Sequence, residues 1–136
     1  MNVPLYTDKK RACRLNINNN LHIQIESEDD KERILIATFV HDIPPGKYRE
    51  NTLKETLKAN ARYPRIGTFA YSERNNQLAL FEYVPTPELR AEKLADILAN
   101  IIEKATMWRT TIERGMLPLA KEGEQRVDRS IFNLKL

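Results

Sequence analysis

Between Thr86 and Gly115 apolar residues recur at alternating steps of four and three: Leu94, Leu98, Ile101, Ala105, Trp108 and Ile112, with Ile97 and Ile102 beside them. That is the period of one helical face, and Glu92, Asp96, Asn100, Glu103 and Thr110 take the other. Thr86 is placed to cap the start, Pro87 suits a first helical position, Gly115 fits a left-handed stop, and Pro118 bars resumption. A helix from Pro87 to Arg114 is about 42 Å long at 1.5 Å per residue, and it needs an apolar surface to lie on. A coiled coil has the same four-three spacing, but here the spacing lasts under about three heptads and the stripe is too wide for a narrow seam. The domain's own sheet is the expected partner.

The rest of the chain alternates with period two or runs apolar throughout. Cys13, Leu15 and Ile17 alternate with Arg14, Asn16 and Asn18, and Leu21, Ile23 and Ile25 alternate with His22, Gln24 and Glu26. The asparagines at 18–20 tolerate positive φ and predict a hairpin between these strands. Ser27 to Arg33 reads as a charged loop, and Ile34 to Val40 as a central strand covered on both faces. His41-Asp42-Ile43-Pro44-Pro45-Gly46 is expected to break it. Tyr48, Thr52, Leu53, Thr56, Leu57 and Ala61 trace a thin helical stripe that suits an edge or an interface, closed by Tyr63-Pro64. Ile66 to Tyr71 and Leu78 to Val84 read as a hairpin around Asn75-Asn76, and Pro85 ends it. The order strand-strand-strand-helix-strand-strand-helix defines an α+β domain with a five-stranded antiparallel sheet and a long C-terminal helix packed on it. Residues 119–136 form a polar tail, expected to be loosely held, whose apolar residues are Val127, Ile131, Phe132, Leu134 and Leu136.

Composition narrows the class. At 136 residues the chain is one domain. Its longest apolar runs, ILIATFV and LALFEYV, are too short to cross a bilayer, and the N-terminus lacks the apolar core and cleavage site of a secretory signal. A single cysteine forms no internal disulfide, in keeping with a reducing cytoplasm. The net charge of +3 comes from 22 basic and 19 acidic residues spread along the chain, without the dense basic field of nucleic-acid binding. The tightest cluster, Lys9, Lys10, Arg11 and Arg14, reads as a solvated segment.

A search for chemistry ends empty. Four glycines, at 46, 67, 115 and 123, write no phosphate loop or dinucleotide fingerprint. His22 and His41 have no partners at metal-ligand spacing, so no metal site is expected. Cys13 with His22 across the hairpin is a conceivable nucleophile and base, but Leu15 and Ile17 favour a packed thiol. Glu26, Glu28, Asp29 and Asp30 lack calcium-loop spacing and read as a solvated acidic run. The chain reads as a non-enzyme without cofactors.

The passages NNNLHIQIE, FVHDIPPGKYRENTLKETLKAN, GTFAYSERNNQLALFEYVP and the closing helix with its ATMW and GMLP carry a resemblance. In this order they resemble the class I type III secretion chaperones, the Tir-chaperone-like family, and look most similar to chlamydial members. The likeness spans about Pro4 to Pro118, so residues 1–118 form the chaperone-like domain and 119–136 the tail. It implies a cytoplasmic, nucleotide-free bacterial protein that binds the N-terminal region of a secreted effector or gate protein and keeps it secretion-competent. It implies a homodimer, or a heterodimer with another chaperone, and neither nucleic acid nor membrane as a partner. By the same resemblance Leu53, Leu57, Tyr63, Ile66, Phe69 and Tyr71 belong to a dimer interface. Leu15, Ile17, Leu21, Ile23, Ile25 and Phe39 belong to the cargo surface, where a cargo strand adds to a sheet edge.

Two features depart from the family. An amphipathic helix normally precedes the first strand, and MNVPLYTDKK has no periodic face to form one. Family members also tend to be acidic. The competing reading is a regulatory or nucleic-acid-binding module that uses Arg62, Arg65 and Arg74 beside Tyr63 and Tyr71. A further one is a subunit functional only as half of a heterodimer.

Overall fold

The computed structural model describes residues 12–17, 21–63 and 65–119. The expected helix-free N-terminus, the turn at 18–20, Pro64 and the tail from residue 120 lie outside them. The strands are β1 (Ala12–Ile17), β2 (Leu21–Glu28), β3 (Arg33–Asp42), β4 (Thr68–Ser72) and β5 (Gln77–Pro85), with helices α1 (Lys47–Asn60) and α2 (Ala91–Glu113). All strand pairs are antiparallel, in the order β1-β2-β3-β5-β4. This is the five-stranded α+β architecture and the element order that the periodicity predicts.

α2 lies on one face of the sheet. Its Ile101, Ala105, Trp108 and Ile112 are buried against Leu21, Ile23, Ile36, Val40, Leu78 and Leu80. Trp108 is 2% exposed, and its ring meets that of Phe69 with centroids 4.3 Å apart and planes tilted by 42°. An offset aromatic pair of this kind adds about 1 kcal/mol to what area burial contributes. Lys104, also buried, donates from Nζ to the Ile66 carbonyl at 2.9 Å and lies over the Phe69 ring. Arg109 reaches the other end of the sheet, donating to the Val40 carbonyl at 2.8 Å.

Several local expectations change. α2 begins at Ala91 rather than Pro87, and Thr86 is not its cap. β5 stays paired to Pro85, opposite Arg33, and the Thr86 N–H is held by the Glu32 carbonyl at 2.9 Å. The chain then turns through Glu88, at φ 64°, with the Leu89 N–H bonded back to the Thr86 carbonyl. The loop in the charged stretch from Ser27 is shorter than expected: β2 runs to Glu28, Asp29–Lys31 make one 3-10 turn, and Arg33 starts β3 with its Nε 2.7 Å from Glu28 Oε1. β3 also passes through His41 and Asp42, which pair with Leu78 and Gln77 after a bulge at Phe39/His41. The break comes only at Pro44-Pro45, where the missing N–H groups end the ladder. β4 spans Thr68–Ser72 rather than starting at Ile66.

The largest correction concerns β3. Ile36, Thr38 and Val40 are buried beneath α2, but on the other face Leu35 and Ala37 are half-buried and Phe39 is 46% exposed. Among the described residues the strand is central and covered on one face only.

Gly67 joins the layers at their closest approach. Its φ is +73°, and a Cβ there would stand 2.9 Å from Leu80 Cδ1 and 3.0 Å from Ile101 Cδ1. Gly67→Ala combines a strained backbone with overpacking and is expected to destabilise the fold by roughly 2–4 kcal/mol. Urea denaturation reads this directly; a loss below about 0.5 kcal/mol, typical of an unconstrained surface site, would contradict the packing described.

Candidate binding surfaces

Among the described residues three surfaces stay uncovered, and each follows from the sheet's order. The first is the edge strand β1. Cys13, Leu15 and Ile17 point to the helix side, continuing the row of Leu21, Ile23 and Ile25. Leu21 and Ile23 are 3% and 0% exposed, so these two expected cargo residues are core, covered by the chain itself. Leu15, Ile17 and Ile25 pack against that core while staying half-exposed. Towards the opposite edge, β4 is partly occupied. The Asn60 side chain donates to the Phe69 carbonyl at 3.0 Å and accepts from the Phe69 N–H at 2.8 Å, filling the place of a neighbouring strand.

The second surface is the sheet face turned away from α2. Phe39 lies there beside a concavity of about 300 Å³ shared with Arg14, His22, Gln24, Ala37 and Ala79. On β5, Phe81 and Tyr83 continue the apolar row, meeting edge to face with centroids 5.9 Å apart, and Tyr83 is 42% exposed. The Arg33 guanidinium lies 3.8 Å above the Tyr83 ring. The sequence reading named Phe39 but missed Ala79, Phe81 and Tyr83. Their alternation with Leu78, Leu80 and Val84 was the available signal, hidden in a run that is apolar almost throughout.

The third surface is formed by α1 and the segment after it. α1 buries Thr52, Glu55, Thr56 and Ala59 and packs against β4. One turn apart, Leu53 is half-buried and Leu57 is 67% exposed, the most exposed large apolar side chain among the described residues. Tyr63 is 57% exposed, with Arg65 over its ring. Ile66 and Tyr71 are half-buried, and Tyr71 donates to Asn76 Oδ1 at 3.0 Å. Phe69 is 5% exposed and stacked on Trp108, so this expected interface residue belongs to the core. The chain therefore leaves Leu57 and Tyr63 outward, with Leu53, Ile66 and Tyr71 around them.

The residues weighed for other chemistry do not converge. Cys13 pairs with Ile25 and His22 with Asn16, so thiol and imidazole sit on opposite sheet faces. Strand register alone removes that pair. No group of three metal-ligating side chains occurs among the described residues. Arg65 is engaged by Tyr63 and by the Asn60 carbonyl at 2.7 Å, while Arg74 lies in the β4–β5 turn. No helix among the described residues is long and apolar enough to cross a membrane.

One carboxylate is perturbed. Glu82 shares the helix-side face of β5 with Leu80 and Val84, and burial pushes its carboxyl above the ordinary value. The Gly67 N–H and the charges of Arg65, Lys104 and Lys93 oppose that rise without cancelling it.

Among the described residues the antiparallel sheet is covered by a helix on one face, and an edge strand and two apolar patches stay uncovered. The profile of the Tir chaperone protein (CesT) family matches residues 1–109, and the chain belongs to that family. The match is to the family as a whole and does not narrow to chlamydial members. Similar folds occur in the structure of the ExsC-ExsE complex (17% identity, TM-score 0.61, covering 79% of this chain and 80% of that one). Another is that of the HopA1-SchA chaperone-effector complex (20%, 0.56, 79% and 81%). A third is the heterodimeric ExoU-SpcU complex from the type III secretion system of Pseudomonas aeruginosa (14%, 0.61, 76% and 84%). No curated protein matches the chain.

Glu82 gives a signed prediction. Its raised folded value means that the folded state binds the proton more tightly than the unfolded chain does. Its contribution to stability is thus full below the ordinary value near 4.5 and is lost as pH rises through the raised value. Glu82→Gln, which keeps an acceptor for Gly67, should gain melting temperature over the parent as pH rises from about 4 to 7. Parallel melting curves across that range would remove Glu82 as the source.

Proposed function

We propose that this chain is a type III secretion chaperone of the bacterial cytoplasm. It binds the N-terminal region of an effector or secretion-gate protein and holds it extended, soluble and competent for export, without nucleotide. The observation that carries the reading is the β1 edge, unpaired on its outer side among the described residues and flanked on both sheet faces by apolar side chains, in a chain of this family. The similar folds in the HopA1-SchA chaperone-effector complex and in the heterodimeric ExoU-SpcU complex of a type III secretion system support it.

The physics of such binding is strand addition. An extended segment satisfies its backbone on β1 whatever its side chains are, and alternate side chains enter flanking apolar ground. Each backbone bond contributes a net of about 1 kcal/mol, so half a dozen hold a segment without demanding one sequence. Leu15, Ile17 and Ile25 receive one row of side chains; Phe39 and its concavity receive the other. Leu21 and Ile23 support these positions from beneath. A segment held in this way is kept from folding by the same bonds that bind it.

The chain acts as a dimer joined through α1 and β4, with Leu53, Leu57, Tyr63, Ile66 and Tyr71 at the interface and Phe69 behind them. Stable interfaces bury about 800 Å² per partner around a few well-packed anchors, and the exposed Leu57 and Tyr63 are suitable anchors.

Light scattering should return twice 15.9 kDa, and Leu57→Asp should shift the mass to a monomer with little loss in melting temperature. A parent that stays monomeric at every concentration sinks the homodimer. Capture with the purified chain should recover one secreted protein through its N-terminal segment, and Phe39→Asp should weaken recovery about tenfold or more. Recovery of no secreted protein, alone or with a co-expressed partner chaperone, counts against the chaperone role.

A further inference from the structure

The sheet face turned away from α2 is hollowed where its side chains are smallest. On that face Arg14 pairs with Gln24, Gln24 with Ala37 and Ala37 with Phe81; in the next row Asn16 pairs with His22 and Phe39 with Ala79. Methyl groups at Ala37 and Ala79 leave the concavity of about 300 Å³ beside Phe39, and Arg14, His22 and Gln24 line its polar side. Most polar groups around it are engaged. Arg33 is held by Glu28 at 2.7 Å and lies over the Tyr83 ring, and the Gln24 amide donates to Glu26 at 2.5 Å. His22 Nδ1 stands 2.5 Å from Asn16 Oδ1. Arg14 differs: it is exposed, and among the described residues no carboxylate or carbonyl holds its guanidinium.

We propose that the concavity and Arg14 together select acidic segments: a bound extended chain places one apolar side chain in the hollow beside Phe39 and, two positions along, an aspartate or glutamate on Arg14. This rests on the polypeptide-binding reading above and names what that site prefers. Spacing and chemistry agree. Side chains i and i+2 of an extended chain stand on the same side about 6.8 Å apart. Arg14 lies two strands from β3, about 9.6 Å in Cα position, and its side chain closes part of that distance, since it lines the same concavity as Ala37 and Phe39. A guanidinium takes a carboxylate through two parallel N–H bonds, with a geometry that an amide or a hydroxyl does not match. The hollow supplies affinity for any apolar side chain of suitable size, and the charge supplies the choice. A segment with lysine at that position sets two cations against each other, which rejects it. Backbone pairing on β1 accepts any sequence, so a preference among segments has to come from side-chain contacts of this kind.

Selection of a random display library of peptides on the purified full chain tests the proposal. Enriched peptides should share an apolar residue with Asp or Glu two positions away. One of them, synthesised with Glu, Gln or Lys at that position, is then titrated against the chain. The Lys form should bind about fivefold more weakly than the Glu form, with Gln between them, and high salt should narrow the gap. Arg14→Glu should reverse the order while keeping the parent's melting temperature, since the side chain is exposed. Phe39→Asp should weaken all three forms alike. An empty selection, enrichment without an acidic preference, or an order that Arg14→Glu leaves unchanged overturns the proposal. So does binding that survives Phe39→Asp, which places the peptides elsewhere. If Arg14→Glu reverses the order but no secreted protein is captured, the acidic selection stands and the chaperone reading falls. If a secreted protein is captured through Phe39 but the peptides show no acidic preference, the chaperone reading stands and the selection falls.

Discussion

The structure depends on one mismatch of widths. Five strands spaced about 4.8 Å apart make a sheet about 19 Å across, whereas a helix with its side chains is about 10–12 Å wide. α2 therefore covers the middle of one face, where Trp108 meets Phe69, and cannot cover the rest. What remains uncovered is the other face, with Phe39 and Tyr83, and the β1 side, with Leu15, Ile17 and Ile25 half-exposed. A helix with a broad apolar stripe makes the fold stable, and its narrowness leaves these surfaces uncovered.

α1 divides its residues differently. Its buried positions Thr52, Glu55, Thr56 and Ala59 are small or polar, while Leu57 faces solvent. For a helix folding only on its own sheet this is the wrong way round, since leucine burial stabilises by about 2 kcal/mol. The arrangement makes sense when the outward leucine is buried against another chain. Asn60, at the end of the same helix, ties it to β4 with two side-chain bonds, beside the buried Ala59.

Element types and their order were legible because period two and period 3.6 are written into Cys13 to Ile25 and into Leu94 to Ile112. The site was legible only in part. A period of two says which residues share a face, but not which face receives a helix or how far along the strand that helix reaches. Hence Leu21 and Ile23 became core while Leu15, Ile17 and Ile25, in phase with them, stayed half-exposed. The run ILIATFV reads as covered on both faces, but Leu35, Ala37 and Phe39 stand on a face that the helix does not cover. The Thr86 cap failed for a long-range reason: a carbonyl on Glu32, over fifty residues away, holds its N–H. The Asn60 clamp and the rise at Glu82 likewise arise from contacts that no local pattern encodes.

The Asn60 clamp also bears on how the molecule behaves in a crowd. A sheet with two bare edges is a monomer for polymerisation, since each added copy presents a fresh edge to the next. With one edge stoppered at Phe69 by an amide of its own chain, edge-to-edge growth through that side has no complete ladder to start from. Copies that met through their open edges would stop at pairs. The side-chain amide of Asn60 thus acts as a chain terminator at the β4 end of the sheet.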